Sequence, residues 1–122
     1  MGKRILVIDD ERDLTELLGT LLDFHGIKAD TVNDPLKVET MLEQTAYDLV
    51  VTDLMMPGLD GFELIQRIHH KEPRRSLPII VLSAKSLTQA ERKVLIQNKV
   101  HFFMKPFEPQ NLVDQISGLL KE

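Results

Sequence analysis

The sequence predicts an α/β fold, a (βα)₅ three-layer sandwich built on a parallel sheet. Three features predict it. Short apolar runs recur along the chain: Ile5-Leu6-Val7-Ile8, Leu49-Val50-Val51, Ile79-Ile80-Val81-Leu82 and Phe102-Phe103-Met104. These runs are continuous rather than alternating, as in strands covered on both faces. Segments with helical apolar spacing lie between them, and right-handed crossovers put those helices on both sides of the sheet.

Each element has its own signal. The first run stops at Asp9 and reads as the first strand. Leu14, Leu17, Leu18, Leu21 and Leu22 then repeat at i, i+3, i+4, i+7 and i+8, a helix stripe that ends before Gly26. Lys28-Ala29-Asp30-Thr31-Val32 is weaker and reads as a polar edge strand. Asp34 is an N-cap with Pro35 at the first helical position, opening a second helix through Met41 and Leu42. Asp60, with Glu63 three residues on, starts a third helix carrying Phe62, Leu64, Ile65 and Ile68. Thr88 and Glu91 have capping-box spacing for a fourth. Around that helix Leu87, Ala90 and Val94 share a face. Ile96 projects oppositely, as an exposed contact for a partner or second subunit. Pro109 opens a fifth, with Leu112, Val113, Ile116, Leu119 and Leu120.

Composition excludes several functions. The 122 residues make one domain, 1–122, with no repeat or linker. Lys+Arg number 15 against 19 Asp+Glu, a net charge of −4. That sign disfavours direct nucleic-acid or anionic-membrane binding. No apolar run nears the roughly 20 residues that span a bilayer, and Met1-Gly2-Lys3-Arg4-Ile5 does not open a secretory signal. With no cysteine there is no disulfide, thiolate nucleophile or Cys-type zinc site, which suits a cytoplasmic setting. The absence of Trp and the single Tyr47 argue against a base-stacking surface. His69-His70-Lys71 with Arg74-Arg75 reads as a solvated helix end and loop, and His25 and His101 lack partners at ligand spacing.

The residues that follow the apolar runs are the informative ones. The first strand ends in Asp9-Asp10, the third in Asp53, the fourth in Ser83 and the fifth in Lys105. Open parallel sheets bind ligands outside the carboxyl ends of their strands, where strand order reverses. If the first and third strands are neighbours there, three carboxylates share one crevice. Each then resists ionising beside the others, and a divalent cation removes that penalty. Oxygen-only ligands that leave room for a phosphate favour Mg²⁺. An ammonium (Lys105) and a hydroxyl (Ser83) suit the oxyanion opposite, and Asp53 can itself act as the nucleophile, giving an acyl phosphate.

In combination these motifs resemble the receiver domain of two-component response regulators. They are Val7-Ile8-Asp9-Asp10-Glu11, the run from Val51 through Asp53, Met55 and Pro57 to Gly61, Leu82-Ser83-Ala84 and Lys105-Pro106-Phe107. The resemblance covers the chain from Ile5 to Leu120 and implies a flavodoxin-like sheet of order 2-1-3-4-5. It implies Asp53 as phosphoacceptor. It implies Mg²⁺ on Asp10, Asp53 and the Met55 backbone carbonyl, with Asp9 acting largely through water. Ser83 and Phe102 take the switch positions, Lys105 pairs with the phosphoryl group, and the Lys105-Pro106 bond is cis. Glu11 receives no role. Asn98-Lys99 stands where the family usually has Gly-Ala, with Asn98 the residue suited to a left-handed cap. Phe102 lacks the hydroxyl of the frequent Tyr.

The expected partners are a histidine kinase or histidine phosphotransfer protein upstream and a protein partner or output domain downstream. The readout surface is expected on helix 4, strand 5 and helix 5. The domain is expected to modify itself rather than turn over substrate, and no effector domain lies within the sequence. Two alternatives remain: a Mg²⁺-dependent phosphatase with an aspartyl nucleophile, and a receiver-like binding module that is not phosphorylated. Met55 stands where such phosphatases need an acid, which counts against the first.

Overall fold

The structure, a computed structural model, describes residues 3–70 and 77–121. Met1 and Gly2, and the Lys71, Arg74 and Arg75 of the basic stretch, lie outside the described residues. Five strands form one sheet: β1 (Arg4–Ile8), β2 (Lys28–Val32), β3 (Leu49–Asp53), β4 (Ile79–Ser83) and β5 (His101–Met104). The helices are α1 (Arg12–Phe24), α2 (Val38–Gln44), α3 (Gly61–His70), α4 (Gln89–Gln97) and α5 (Pro109–Leu120). The sheet is parallel, in spatial order β2-β1-β3-β4-β5, as expected. Two short features were not foreseen. A single 3₁₀ turn, Pro35–Lys37, precedes α2, and Met55–Met56 pairs antiparallel with Leu59–Asp60. Asp34 therefore caps the 3₁₀ turn, its Oδ1 accepting from Leu36 N at 3.0 Å.

The strand pleat divides the core in two. Ile5, Val7, Val51, Ile80 and Leu82 pack under Leu18 and Leu22 of α1 and Leu112, Val113 and Ile116 of α5. Leu6, Ile8, Val50, Ile79 and Val81 pack on the opposite face under Val38, Leu42, Leu64, Ile65, Ile68 and Leu95. Each such side chain, fully buried, contributes about 1.5–3 kcal/mol before conformational entropy is set against it.

Several expectations need correction. The fifth run is not covered on both faces. β5 is an edge strand, with His101 and Met104 exposed and Phe102 and Phe103 half-buried. Leu17, placed in the α1 stripe, is exposed because Leu18 and Leu22 already face the sheet. On α4 the buried residue is Leu95, whereas Ala90 and Val94 are exposed. Leu87 is buried but precedes the Thr88 cap, so it does not set the phase of the helix. Ile96 is 74% exposed, as expected. Of the adjacent Met55 and Met56, only Met56 is buried.

The left-handed cap after α4 falls on Lys99 (φ 58°), not on Asn98, whose φ is −92°. Lys99 N donates to Ile96 O at 3.0 Å and Val100 N to Leu95 O at 2.9 Å, a Schellman closure with Lys99 in the glycine position. Asn98 instead donates its side-chain amide to Val94 O at 2.8 Å. A left-handed backbone costs a non-glycine residue about 1–2 kcal/mol. Lys99→Gly removes that cost but loosens the unfolded chain by about 0.5–1 kcal/mol. The variant is expected to be more stable by about 0.5–1 kcal/mol in urea unfolding, and an unchanged midpoint would refute the strain.

A polar cluster ties the amino-terminal edge of the sheet. The Arg4 guanidinium grips Asp30 at 2.9 and 3.0 Å, and Tyr47 Oη donates to Asp30 Oδ2 at 2.7 Å. The Arg4 hydrogen bonds hold the Asp30 carboxyl below its usual range against the effect of burial. A depressed folded value adds stability above the unfolded value, about 3.9, that disappears as pH falls through the folded one. Wild type should therefore outlast Asp30→Asn at neutral pH, with the gap in thermal midpoint closing as pH drops below about 4.

Candidate functional site

The acids meet because β1 and β3 are neighbours, with Ile8 opposite Thr52. Chain leaves both strands at the same end of the sheet, so Asp9, Asp10 and Asp53 converge. One carboxylate oxygen from each lies within 4.8 Å of the other two. Asp9 is wholly buried and Asp53 nearly so, whereas Asp10 is exposed. Lys105 arrives from the end of β5. Its Nζ is 2.8 Å from Asp9 Oδ2, 2.7 Å from Glu11 Oε1 and 3.4 Å from Asp53 Oδ2.

Backbone and side-chain bonds hold these groups in place. Asp9 Oδ1 accepts from Glu11 N at 2.9 Å, and Asp9 O accepts from Asn33 Nδ2 at 2.8 Å. The same Asn33 nitrogen reaches Thr15 Oγ1 at 3.0 Å, so a buried threonine of α1 supports the acidic turn. Asp53 Oδ1 accepts a long bond from Met55 N, 3.4 Å. Lys105 N donates to Ser83 O at 2.7 Å, the Lys105-Pro106 peptide is cis, and Phe107 packs edge-on against Phe103 at 5.9 Å.

Burial pushes the Asp9 carboxyl above the ordinary carboxylate range, and the Lys105 hydrogen bond only partly reverses this. Asp53 is likewise raised by burial, against the attraction of Lys105. For Lys105 burial opposes the charge, but its bonds to Asp9 and Glu11 outweigh that and hold its ammonium above the usual lysine range. One ammonium thus meets Asp9, Glu11 and Asp53, with the Asp10 carboxylate beside Asp9 and Asp53. The donors are all oxygen and the charge balance is negative, which fits a hard divalent cation.

The structure therefore gathers Asp9, Asp10, Asp53 and Lys105 and adds Glu11, to which the sequence assigned no role. Its place directly after the acidic pair was the available signal. Asn33 and Thr15 were also missed, because only the fold brings β2 beside the end of β1. Ser83 is buried, but its hydroxyl is engaged with Lys85: it donates to Lys85 O at 3.1 Å and accepts from Lys85 N at 3.2 Å. Phe102 packs against the α2–α4 side of the core, with the Arg92 guanidinium carbon 5.6 Å from its ring centre. Met55 is 56% exposed and carries no acid.

A parallel sheet of this order, with acids beyond β1 and β3 and a lysine beyond β5, defines a flavodoxin-like α/β protein with an acidic crevice at its topological switch point. The chain belongs to the response regulator receiver domain family, whose sequence model matches residues 5–117. It is 35% identical over 121 residues to response regulator GtcR of Aneurinibacillus migulanus, covering 99% of this chain and 49% of that protein. It is 29% identical over 121 residues to the phosphate regulon transcriptional regulatory protein PhoB of Pseudomonas aeruginosa, covering 99% and 53%. The chain thus spans about half the length of the curated relatives it matches.

A response regulator receiver protein from Pseudomonas putida superposes with a TM-score of 0.87 at 28% identity, covering 97% of this chain and 98% of that one. Vibrio cholerae chemotaxis protein CheY4 shares the fold, at a TM-score of 0.87 and 18% identity over 98% and 99% of the two chains. Receiver domains of two-component systems are phosphoacceptors, generally bind Mg²⁺ through an acidic pocket, and interact with histidine kinases or phosphotransfer proteins and with output domains. Among the described residues, no helix is long and apolar enough to cross a membrane.

Proposed function

We propose that this chain accepts a phosphoryl group on Asp53 from a phosphohistidine of a kinase or phosphotransfer protein, and that the charge so added controls a downstream protein partner. The observation that carries this reading is the convergence of Asp9, Asp10 and Asp53 within 4.8 Å, with the Lys105 ammonium against the same cluster. An Asp53 oxygen attacks phosphorus, and the new O–P bond forms as the P–N bond to the donor histidine breaks. The electron pair leaves with the imidazole nitrogen, which takes up a proton. Water attack on the acyl phosphate later releases inorganic phosphate and restores the Asp53 carboxylate. The chemistry is confined to the protein's own side chain, so the domain is a self-modifying switch rather than a turnover enzyme. Its place of work is the cytoplasm.

Asp9, Asp10, Asp53 and the Met55 backbone carbonyl would hold Mg²⁺, which when bound supplies positive charge against the carboxylates and phosphoryl oxygens. Lys105 shifts from Asp9 and Glu11 toward the phosphoryl oxygens. Ser83 gives up its bonds to the Lys85 backbone to follow them, and Phe102 moves into the space released. The readout surface is α4, β5 and α5, where Ile96 stands exposed. Reversing a 1:99 equilibrium to 99:1 takes about 5.5 kcal/mol. Charge-assisted hydrogen bonds at about 1.5–3 kcal/mol each are enough to supply it.

The test is incubation with acetyl phosphate and Mg²⁺, followed by intact mass. One labile adduct per chain is the expected result. Steady phosphate release from many esters would instead mark a phosphatase, and no adduct would leave a binding module.

A further inference from the structure

The Ser83 hydroxyl is engaged by its own loop, and that loop is tied to the following helix. The Ser83 hydroxyl both donates to and accepts from the Lys85 backbone. The Lys85 side chain crosses to α4, where Nζ lies 3.0 Å from Glu91 Oε2. The other Glu91 oxygen accepts from Thr88 N at 2.9 Å, and Glu91 N donates to Thr88 Oγ1 at 3.1 Å. The Glu91 side chain is 25% exposed, and the Thr88 and Lys85 contacts hold its carboxyl below the usual range. One glutamate thus closes the α4 capping box and pins the lysine whose backbone occupies Ser83.

We infer that the Lys85–Glu91 ion pair is a latch that holds the β4–α4 loop in its resting position and opposes the movement of Ser83 toward a group on Asp53. This rests on the phosphoacceptor reading of Asp53. The geometry gives the latch a direction. Any displacement of Ser83 must break its bonds to Lys85 or carry Lys85 with it, and Glu91 resists the second course. Lys85 and Glu91 act through Ser83, so they are positioning residues rather than catalytic ones.

Glu91→Gln separates the two duties of the glutamate. Glutamine at this position closes a capping box as glutamate does, so α4 keeps its start. Only the charge facing Lys85 is lost. Lys85→Met removes the other half of the pair while keeping the backbone that bonds Ser83.

Beryllofluoride with Mg²⁺, a non-covalent mimic of the phosphoryl group, is titrated into wild type, both single variants and the double variant. Amide NMR shifts of residues 83–88 report binding. Each single variant is expected to reach half-saturation at about two- to fivefold lower beryllofluoride, the measure of one exposed ion pair. The double variant is expected to gain nothing more, because the same bond is removed twice. Unchanged midpoints in both singles would overturn the latch. So would opposite shifts, tighter for Glu91→Gln and weaker for Lys85→Met, which would make the lysine a direct ligand of the mimic. A wild type that binds no beryllofluoride would remove the phosphoacceptor reading and the latch with it.

Discussion

Asp53→Asn is expected to form no phosphoryl adduct with acetyl phosphate and Mg²⁺, under conditions where wild type gives one, and to remain folded. The loss should be complete rather than partial. A neutral amide oxygen is a poor nucleophile and forms no stable acyl phosphate, and no neighbouring acid takes over. Asp9 is wholly buried with one oxygen on Glu11 N and the other on Lys105, and Asp10 lacks a lysine partner among the described contacts. The fold should survive because asparagine can keep the bond from Met55 N while Lys105 keeps Asp9 and Glu11. Stability should not fall at neutral pH. A carboxyl raised by burial weakens the fold once pH rises past its unfolded value, and the amide removes that burden. Intact mass and a thermal melt read the two halves, and an adduct persisting on the folded variant would place the acceptor elsewhere.

Gly61→Ala is expected to destabilise the protein at the upper end of the roughly 1–3 kcal/mol that overpacking costs, or beyond it. Gly61 opens α3 and donates its N–H to Leu54 O at 2.7 Å. A Cβ there would press on that oxygen and lie 2.8 Å from Leu54 Cα. Both are backbone atoms, with no rotamer to move aside. Leu54 is wholly buried directly after Asp53, so relief requires α3 to lift from the end of β3, beside the acceptor. Gly118→Ala is the control. Gly118 lies in α5 with nothing within 4 Å of an added Cβ, and alanine suits a helix interior. A thermal midpoint several degrees lower for Gly61→Ala, with none lost for Gly118→Ala, is the expected pair of results. Equal midpoints would refute the close approach.

The parallel sheet, the five helices and the acids and lysine that follow the strands were legible in the order of residues alone. A continuous apolar run signals a strand covered on both faces, which holds for β1, β3 and β4, and the polar residues that end such runs fall at strand ends, where ligands meet a sheet of this kind. Capping signals were legible for the same local reason: Thr88 and Glu91 need only each other and the adjoining backbone. What depended on neighbours remote in sequence was decided by the tertiary structure. β5 became a half-exposed edge because no strand pairs beyond it among the described residues. Gly61 is required by the backbone of Leu54, and Asn33 reaches Asp9 only because β2 lies beside β1. The left-handed turn on Lys99 is the local exception, set by the end of α4 itself as Val100 N reaches back to Leu95 O. Ser83 and Lys85 were placed by their own loop against α4, a distance in space that spacing along the chain does not carry.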